Sequence, residues 1–131
     1  LRLLLDTHVW LWASDQPTKL SKTVLTRLRD ARNERWVSPL SYWELLLMSR
    51  EGRLSKIPSL QAWFEESKRN MHLRIADLTF AVVEEAATFR LPHGDPADNL
   101  LVATARHYKL TFVTADQRII DSGSVDILAG R

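Results

Sequence analysis

The 131-residue chain contains no cysteine, which excludes a disulfide framework and any thiolate metal centre. No apolar run approaches the length of a membrane span, and the start lacks the pattern of a signal peptide. A membrane location is therefore not expected, and a cytoplasmic setting is. Glycine and proline are sparse, at 4 and 5 residues, and no linker, internal repeat or low-complexity tract interrupts the chain. Residues 1–131 are accordingly expected to form a single domain, large enough for a hydrophobic core without covalent staples. No Gly-rich turn follows the first apolar run, which argues against dinucleotide binding. The formal charge is only +2, with an isoelectric point near 9.2, a weak pointer to an anionic partner.

Short apolar runs alternate with segments of helical periodicity. Leu3-Leu4-Leu5 reads as a strand buried on both faces, as in parallel sheets. Leu20, Val24, Leu25 and Leu28 recur at helical spacing within a segment from Lys19 to Arg35, beneath a basic surface. Trp36-Val37-Ser38 reads as a second strand, closed by Pro39, and a helix is expected from Ser41 to about Ser49. Further helices are expected from Leu60 to about Met71, capped by Ser59, and over Phe80 to Phe89, capped by Thr79. A strand is expected between them over Leu73 to Leu78. Asp95-Pro96 has the N-cap and first-turn chemistry of a helix reaching Tyr108. Thr111 to Thr114 is a further strand, Gln117 to Ile120 a short helix behind Asp116, and Val125 to Leu128 a last strand. This alternation predicts an α/β fold in three layers, with a central, mainly parallel sheet flanked by helices.

Ligands of such sheets bind beyond the carboxyl ends of the strands, and several acids fall there. Asp6 directly follows the first strand, and Asp116 follows TFVT. Glu44 opens the helix after the second strand, and Asp98 opens the helix feeding the Thr111 strand. Each has an ordinary structural explanation taken singly. Asp6, Asp95 and Asp116 suit helix caps, Asp98 suits a first helical turn, and Ser41 with Glu44 fits a capping box. Jointly they are less ordinary, because a parallel sheet puts these positions on one rim. Converging carboxylates raise one another's pKa, and a hard divalent cation such as Mg²⁺ or Mn²⁺ removes that conflict. Such an ion activates water and neutralises charge on phosphate, the chemistry of phosphodiester hydrolysis.

The stretches LLLDTHVWLW, SPLSYWE, GDPADNLLVATA and TFVTAD, in this order and spacing, resemble the PIN-domain family, specifically the VapC-like toxins of bacterial toxin–antitoxin pairs. The resemblance spans nearly the whole chain. It implies a PIN-like fold and a Mg²⁺- or Mn²⁺-dependent endoribonuclease, and it carries the catalytic and metal-binding roles onto Asp6, Glu44, Asp98 and Asp116. Thr7 and Thr114 match orienting positions. RNA as substrate, a cognate antitoxin laid over the active-site groove and a homodimer are implied in the same way. Many relatives have a basic residue one helical turn after the Glu, where this chain has Met48. Arg50 and Arg53 are the nearby candidates for substrate contact, although basic residues at a helix C-terminus are ordinary. Arg27, Arg29, Arg32 and Arg35 are either phosphate contacts or a solvated helix face.

His8, His72, His93 and His107 lack recognisable metal spacing and are expected on the surface or in packing, with His8 close enough to Asp6 in sequence to warrant a test. The tryptophans are expected first in the core. Trp10 and Trp12 share neither face of a helix, so one of the two should be partly exposed. The alternatives from other classes are a PIN domain that binds RNA without cleaving it and a phosphoacceptor receiver domain. A receiver would need a second acid beside Asp6 and a Lys where TFVTAD has Asp. A dehalogenase-type phosphatase would need Asp where His8 stands.

Overall fold

A computed structural model describes residues 1–130. Its strands are β1 (Arg2–Leu5), β2 (Glu34–Val37), β3 (Arg74–Ile75), β4 (Thr111–Thr114) and β5 (Ile127–Ala129). They form one five-stranded sheet in the order β3-β2-β1-β4-β5, and every pairing is parallel. The helices are α1 (Thr7–Asp15), α2 (Lys22–Arg29), α3 (Pro39–Arg50), α4 (Leu60–Asn70), α5 (Phe80–Ala86), α6 (Pro96–Tyr108) and α7 (Gln117–Ser122). None of them is long and apolar enough to cross a membrane.

The period of two along a strand explains the three layers. Leu3, Leu4 and Leu5 are all fully buried, but they face opposite ways. Leu3 and Leu5 join Val9, Trp10, Val24, Leu28, Leu45 and Val113 in one core, against α1 to α4. Leu4 joins Leu101, Val102, Ala105, Phe112 and Ile119 in the other, against α6 and α7. The central strand is thus apolar at each position because helices cover both of its faces. Its partner β4 divides Phe112 and Val113 between the two cores in the same way.

Several boundaries differ from the sequence expectation. The basic helix expected over Lys19–Arg35 is only Lys22–Arg29, capped by Ser21, whose Oγ accepts Val24 N–H at 3.2 Å. The chain is already strand at Glu34, so Arg32 and Arg35 do not lie on that helix. Arg32 is 89% exposed at its side chain and pairs with Asp30, whereas Arg35 is 8% exposed. The Arg35 guanidinium donates to Met71 O at 2.7 Å and to Leu28 O and Asp30 O at 3.1 Å. It ties the ends of α2 and α4 to the sheet, a structural role rather than a phosphate contact. The LRIADL segment pairs only through Arg74 and Ile75, and the helix after it stops at Ala86 instead of Phe89. The last strand is Ile127–Ala129, displaced from the expected Val125–Leu128. Trp10 is fully buried and donates Nε1–H to Ser67 Oγ at 2.9 Å, while Trp12 is only partly buried, as their non-shared faces required.

Candidate functional site

Asp6 leaves the sheet at the carboxyl end of β1, beside the end of β4. It is the N-cap of α1, with Oδ1 accepting Thr7 N–H at 2.8 Å. Its other oxygen accepts the Thr114 hydroxyl at 2.6 Å. Thr114 is fully buried, and its Oγ1 also accepts Asp116 N–H at 3.1 Å. One hydroxyl therefore fixes the relation between the first and last acids. This follows from the parallel register, which sets Leu5 against Val113 and so places the residues after them side by side.

Glu44 arrives from the other side. The helix carrying it begins at Pro39, because Ser38 accepts Leu40 N–H at 3.0 Å and acts as N-cap. This corrects the expected start at Ser41 and removes the capping box. Glu44 lies in the second turn, beyond reach of the helix start, and accepts the Thr7 hydroxyl at 2.6 Å. Ser41 Oγ is buried without a hydrogen-bond partner among the described residues. The cap geometry of α3 thus withdraws the ordinary structural account of Glu44.

Asp98 projects from the first turn of α6. Asp95 is the N-cap there and accepts the amides of Ala97 at 2.9 Å and Asp98 at 3.1 Å. Asp98 Oδ2 meets His93 Nε2 at 2.8 Å. Asp116 caps α7 and is held by Arg118, whose Nη2 and Nε lie 3.0 and 3.2 Å from its two oxygens. One donor atom each from His93, Asp98 and Asp116 lie within 4.8 Å of one another, a group able to hold a metal ion.

The charges of these acids reach one another. Burial pushes the Asp6 carboxyl above the usual range against the Thr114 and Thr7 hydrogen bonds, and the Asp98 charge adds to the rise. Burial also raises Glu44, and the charges of Asp6, Asp98 and Asp95 raise it further. Asp98 is raised by burial, opposed by His93, with Asp95 and Asp116 adding to the rise. Asp116 moves the other way, held low by its hydrogen bonds from Arg118. Three acids are crowded and desolvated, and the fourth is neutralised by a guanidinium.

The remaining expected residues lie elsewhere. Met48 is buried in the core beneath α3, so no charge occupies the turn after Glu44. Arg50 is exposed at the end of α3, and Arg53 pairs at 3.9 Å with Glu51. Among the described residues neither bonds to the acids. Arg53 instead lines a cleft of about 910 Å³ with Lys19, Lys56, Trp12 and His8, whose ring lies 5.8 Å from that of Trp12. Nothing local in the sequence marks His93 or Arg118 as site residues. His93 stands five residues before Asp98 across a turn, outside any helical metal spacing. Arg118 is one basic residue in a short helix, and only its i+2 position from the cap shows what it pairs with.

A PIN domain model matches residues 3–123. Ribonuclease VapC22 of Mycobacterium tuberculosis (strain ATCC 25618 / H37Rv) is 32% identical over 120 residues, covering 89% of this chain and 88% of that protein. In fold, the chain is similar to VapBC2 from Rickettsia felis bound to a promoter DNA fragment, with a TM-score of 0.75, 14% identity and all of both chains covered. It is also similar to a toxin–antitoxin complex from Klebsiella pneumoniae, with a TM-score of 0.65, 12% identity and 97% and 96% of the two chains covered. The three-layer parallel fold, the matched span and the similarity to a VapC ribonuclease together establish that this chain belongs to the PIN-domain family and is closely related to the VapC-like ribonucleases of toxin–antitoxin systems.

Proposed function

We propose that the protein is a metal-dependent endoribonuclease, the toxin of a toxin–antitoxin pair, acting as a single unit over residues 1–131. The observation that carries the reading is the gathering of Asp98 and Asp116 with His93 into a group able to hold a metal ion, with Asp6 tied to Asp116 through the Thr114 hydroxyl and Glu44 held by Thr7, the residue next to Asp6. Like charges gathered at a protein surface gain nothing from proximity, and burial makes their repulsion costlier. A divalent cation turns that cost into binding energy, and an oxygen-rich donor set suits Mg²⁺ or Mn²⁺. The acids would hold the ion directly or through its waters. When bound it supplies an activated water and charge neutralisation at phosphate.

The chain's own residues do the rest. The Thr114 hydroxyl, donating to Asp6, holds that carboxylate in place and leaves it lone pairs for an ion or its waters. Thr7 does the same for Glu44, so both acids are oriented before any ligand arrives. Arg118 holds Asp116 ionised and is a cation at the mouth of the site, placed to meet a phosphate when Asp116 is engaged elsewhere. Arg53, Lys19 and Lys56, beside Asp15 and Glu66, line the cleft that reaches His8 and are its candidate phosphate contacts. For a second copy of the chain and an antitoxin, apolar surface is provided by Trp43 and Leu46 on α3 and by Phe80, 90% exposed, at the start of α5.

Purified protein incubated with mixed single-stranded and structured RNAs should cleave with Mg²⁺ or Mn²⁺ and not in EDTA. The products should carry 3′-hydroxyl and 5′-phosphate ends, and Asp6→Asn and Asp116→Asn should each abolish cleavage. A 2′,3′-cyclic phosphate would implicate the ribose hydroxyl as nucleophile and refute attack by an activated water. No metal-dependent cleavage across several RNAs would leave an RNA-binding PIN domain as the better account.

A further inference from the structure

Resting on the reading of the acidic rim as a divalent-metal site, we infer that His93 is itself a ligand of the ion, with Asp98 and Asp116, and that its imidazole tilts the site towards Mn²⁺ over Mg²⁺. The all-carboxylate donor set expected from the sequence contains no nitrogen.

Three local features place the ring. Gly94 adopts φ 68°, a left-handed conformation open to glycine, and its N–H donates to Leu91 O at 3.1 Å. The turn folds His93 back over the start of α6 rather than out to solvent. Asp95 then caps the helix, which fixes where Asp98 leaves the first turn. The outcome is a His93 side chain only 8% exposed, with Nε2 2.8 Å from Asp98 Oδ2.

The ring is not a satisfied structural histidine. Its Nδ1 is buried with no hydrogen-bond partner among the described residues. A buried polar nitrogen left unpaired costs free energy, and such groups in folded proteins ordinarily find a partner. Coordination through Nε2 would leave Nδ1 as it stands, so the placement of Nε2, and not the unpaired Nδ1, is what points to the ion. The bond of Nε2 is to a carboxylate of the proposed site.

The spacing fits coordination. Around an ion with ligands at about 2.1 Å, adjacent donors lie roughly 3 Å apart and opposite donors roughly 4 Å apart. The three donor atoms here fall within 4.8 Å of one another, so small side-chain movements close the set. The chemistry then selects among ions. Mg²⁺ demands oxygen and keeps its waters; Mn²⁺ shares the preference for oxygen but, as a transition-metal ion, gains more from an added imidazole than Mg²⁺ does.

Pulsed electron paramagnetic resonance on the Mn²⁺-loaded full chain tests this without reference to activity. The wild type should show electron spin-echo modulation from directly coordinated ¹⁴N, which changes to the ¹⁵N pattern on labelling with [¹⁵N]histidine and vanishes in His93→Gln. In calorimetric titration, His93→Ala should lose at least about tenfold in Mn²⁺ affinity, since even an outer partner of a metal ligand is worth that much. Its Mg²⁺ affinity should fall less, narrowing the preference between the ions. Circular dichroism and the wild-type spectrum guard against a misfolded variant. Mn²⁺ binding that is lost in Asp116→Asn but shows no nitrogen coupling in the wild type would overturn the role of His93 and leave the metal site standing. Failure of the wild type to bind Mn²⁺ at all would overturn both.

Discussion

Thr114→Val isolates the brace beneath the acidic rim. Valine nearly matches threonine in volume, so the substitution opens no cavity in the fully buried position and removes only the hydroxyl. Two bonds go with it: the donation to Asp6 Oδ2 at 2.6 Å and the acceptance of Asp116 N–H at 3.1 Å. A hydrogen bond to a charged group is worth about 1.5–3 kcal/mol, and stranding the amide adds about 1 kcal/mol. With Asp6 ionised, in EDTA, the expected loss is therefore about 2.5–4 kcal/mol. At roughly 4 °C per kcal/mol for a chain of this size, the fall in Tm is about 10–16 °C.

The loss should also depend on pH. Burial raises the Asp6 carboxyl in the folded state, and Thr114 opposes the rise. A raised carboxyl contributes stability that is present below its unfolded pKa and disappears as pH rises through its folded pKa. Valine raises Asp6 further, so the variant is most disadvantaged above that folded pKa. Below both pKa values Asp6 is neutral, and its bond to Thr114 is worth only about 0.5–1.5 kcal/mol. Urea unfolding of the wild type, Thr114→Val, Asp6→Asn and the double variant at pH 7 and in acid completes a cycle. The reasoning fails if Thr114→Val costs less than about 1 kcal/mol at pH 7. It fails equally if the two substitutions add to within about 0.5 kcal/mol, because residues in direct contact should couple.

Arg118→Gln frees Asp116, whose carboxyl Arg118 holds below the usual range; a lowered carboxyl contributes stability above its unfolded pKa that is lost as pH falls through its folded pKa, so wild type and variant should differ at neutral pH and converge in acid. The pair is exposed and the difference should be small and screened by salt, while Mn²⁺ affinity, read by calorimetry, should rise because a competing cation has gone. Arg35→Gln should lower stability by about 2–4 kcal/mol in chemical denaturation, since it strands carbonyls of Leu28, Asp30 and Met71. Arg32→Gln, on the surface nearby, should leave the denaturation midpoint unmoved. Gly130→Ala should cost about 1–3 kcal/mol by overpacking, because the added Cβ would stand 3.2 Å from the Thr114 backbone carbon and from Val9 Cγ2.

The local signals of this chain are strong where a residue's role depends on its immediate neighbours. Leu3-Leu4-Leu5 announces a strand covered on both faces, and Ser59, Thr79 and Asp95 announce helix starts that the structure bears out. Such features are written in sequence because caps and strand periodicity are decided within a few residues. Arg35 shows the limit. Its periodicity with the preceding basic residues suggests a helix face, yet pairing with β1 draws Glu34–Val37 into the sheet and buries the guanidinium. Glu44 shows it again, since a cap at Ser38 rather than Ser41 changes what the carboxylate can reach.

The sequence alone determined that Asp6 and Asp116 follow strands and that Asp98 opens a helix, and hence that they share one rim of a parallel sheet. Only the tertiary structure decided how the acids are held: Thr114 against Asp6, Thr7 against Glu44, His93 against Asp98 and Arg118 against Asp116. The physical reason lies in range. Strand order and chain direction follow from patterns spread over whole segments, whereas a hydrogen bond between residues 6 and 114 depends on the register of β1 against β4, set by two packed cores that no local stretch encodes.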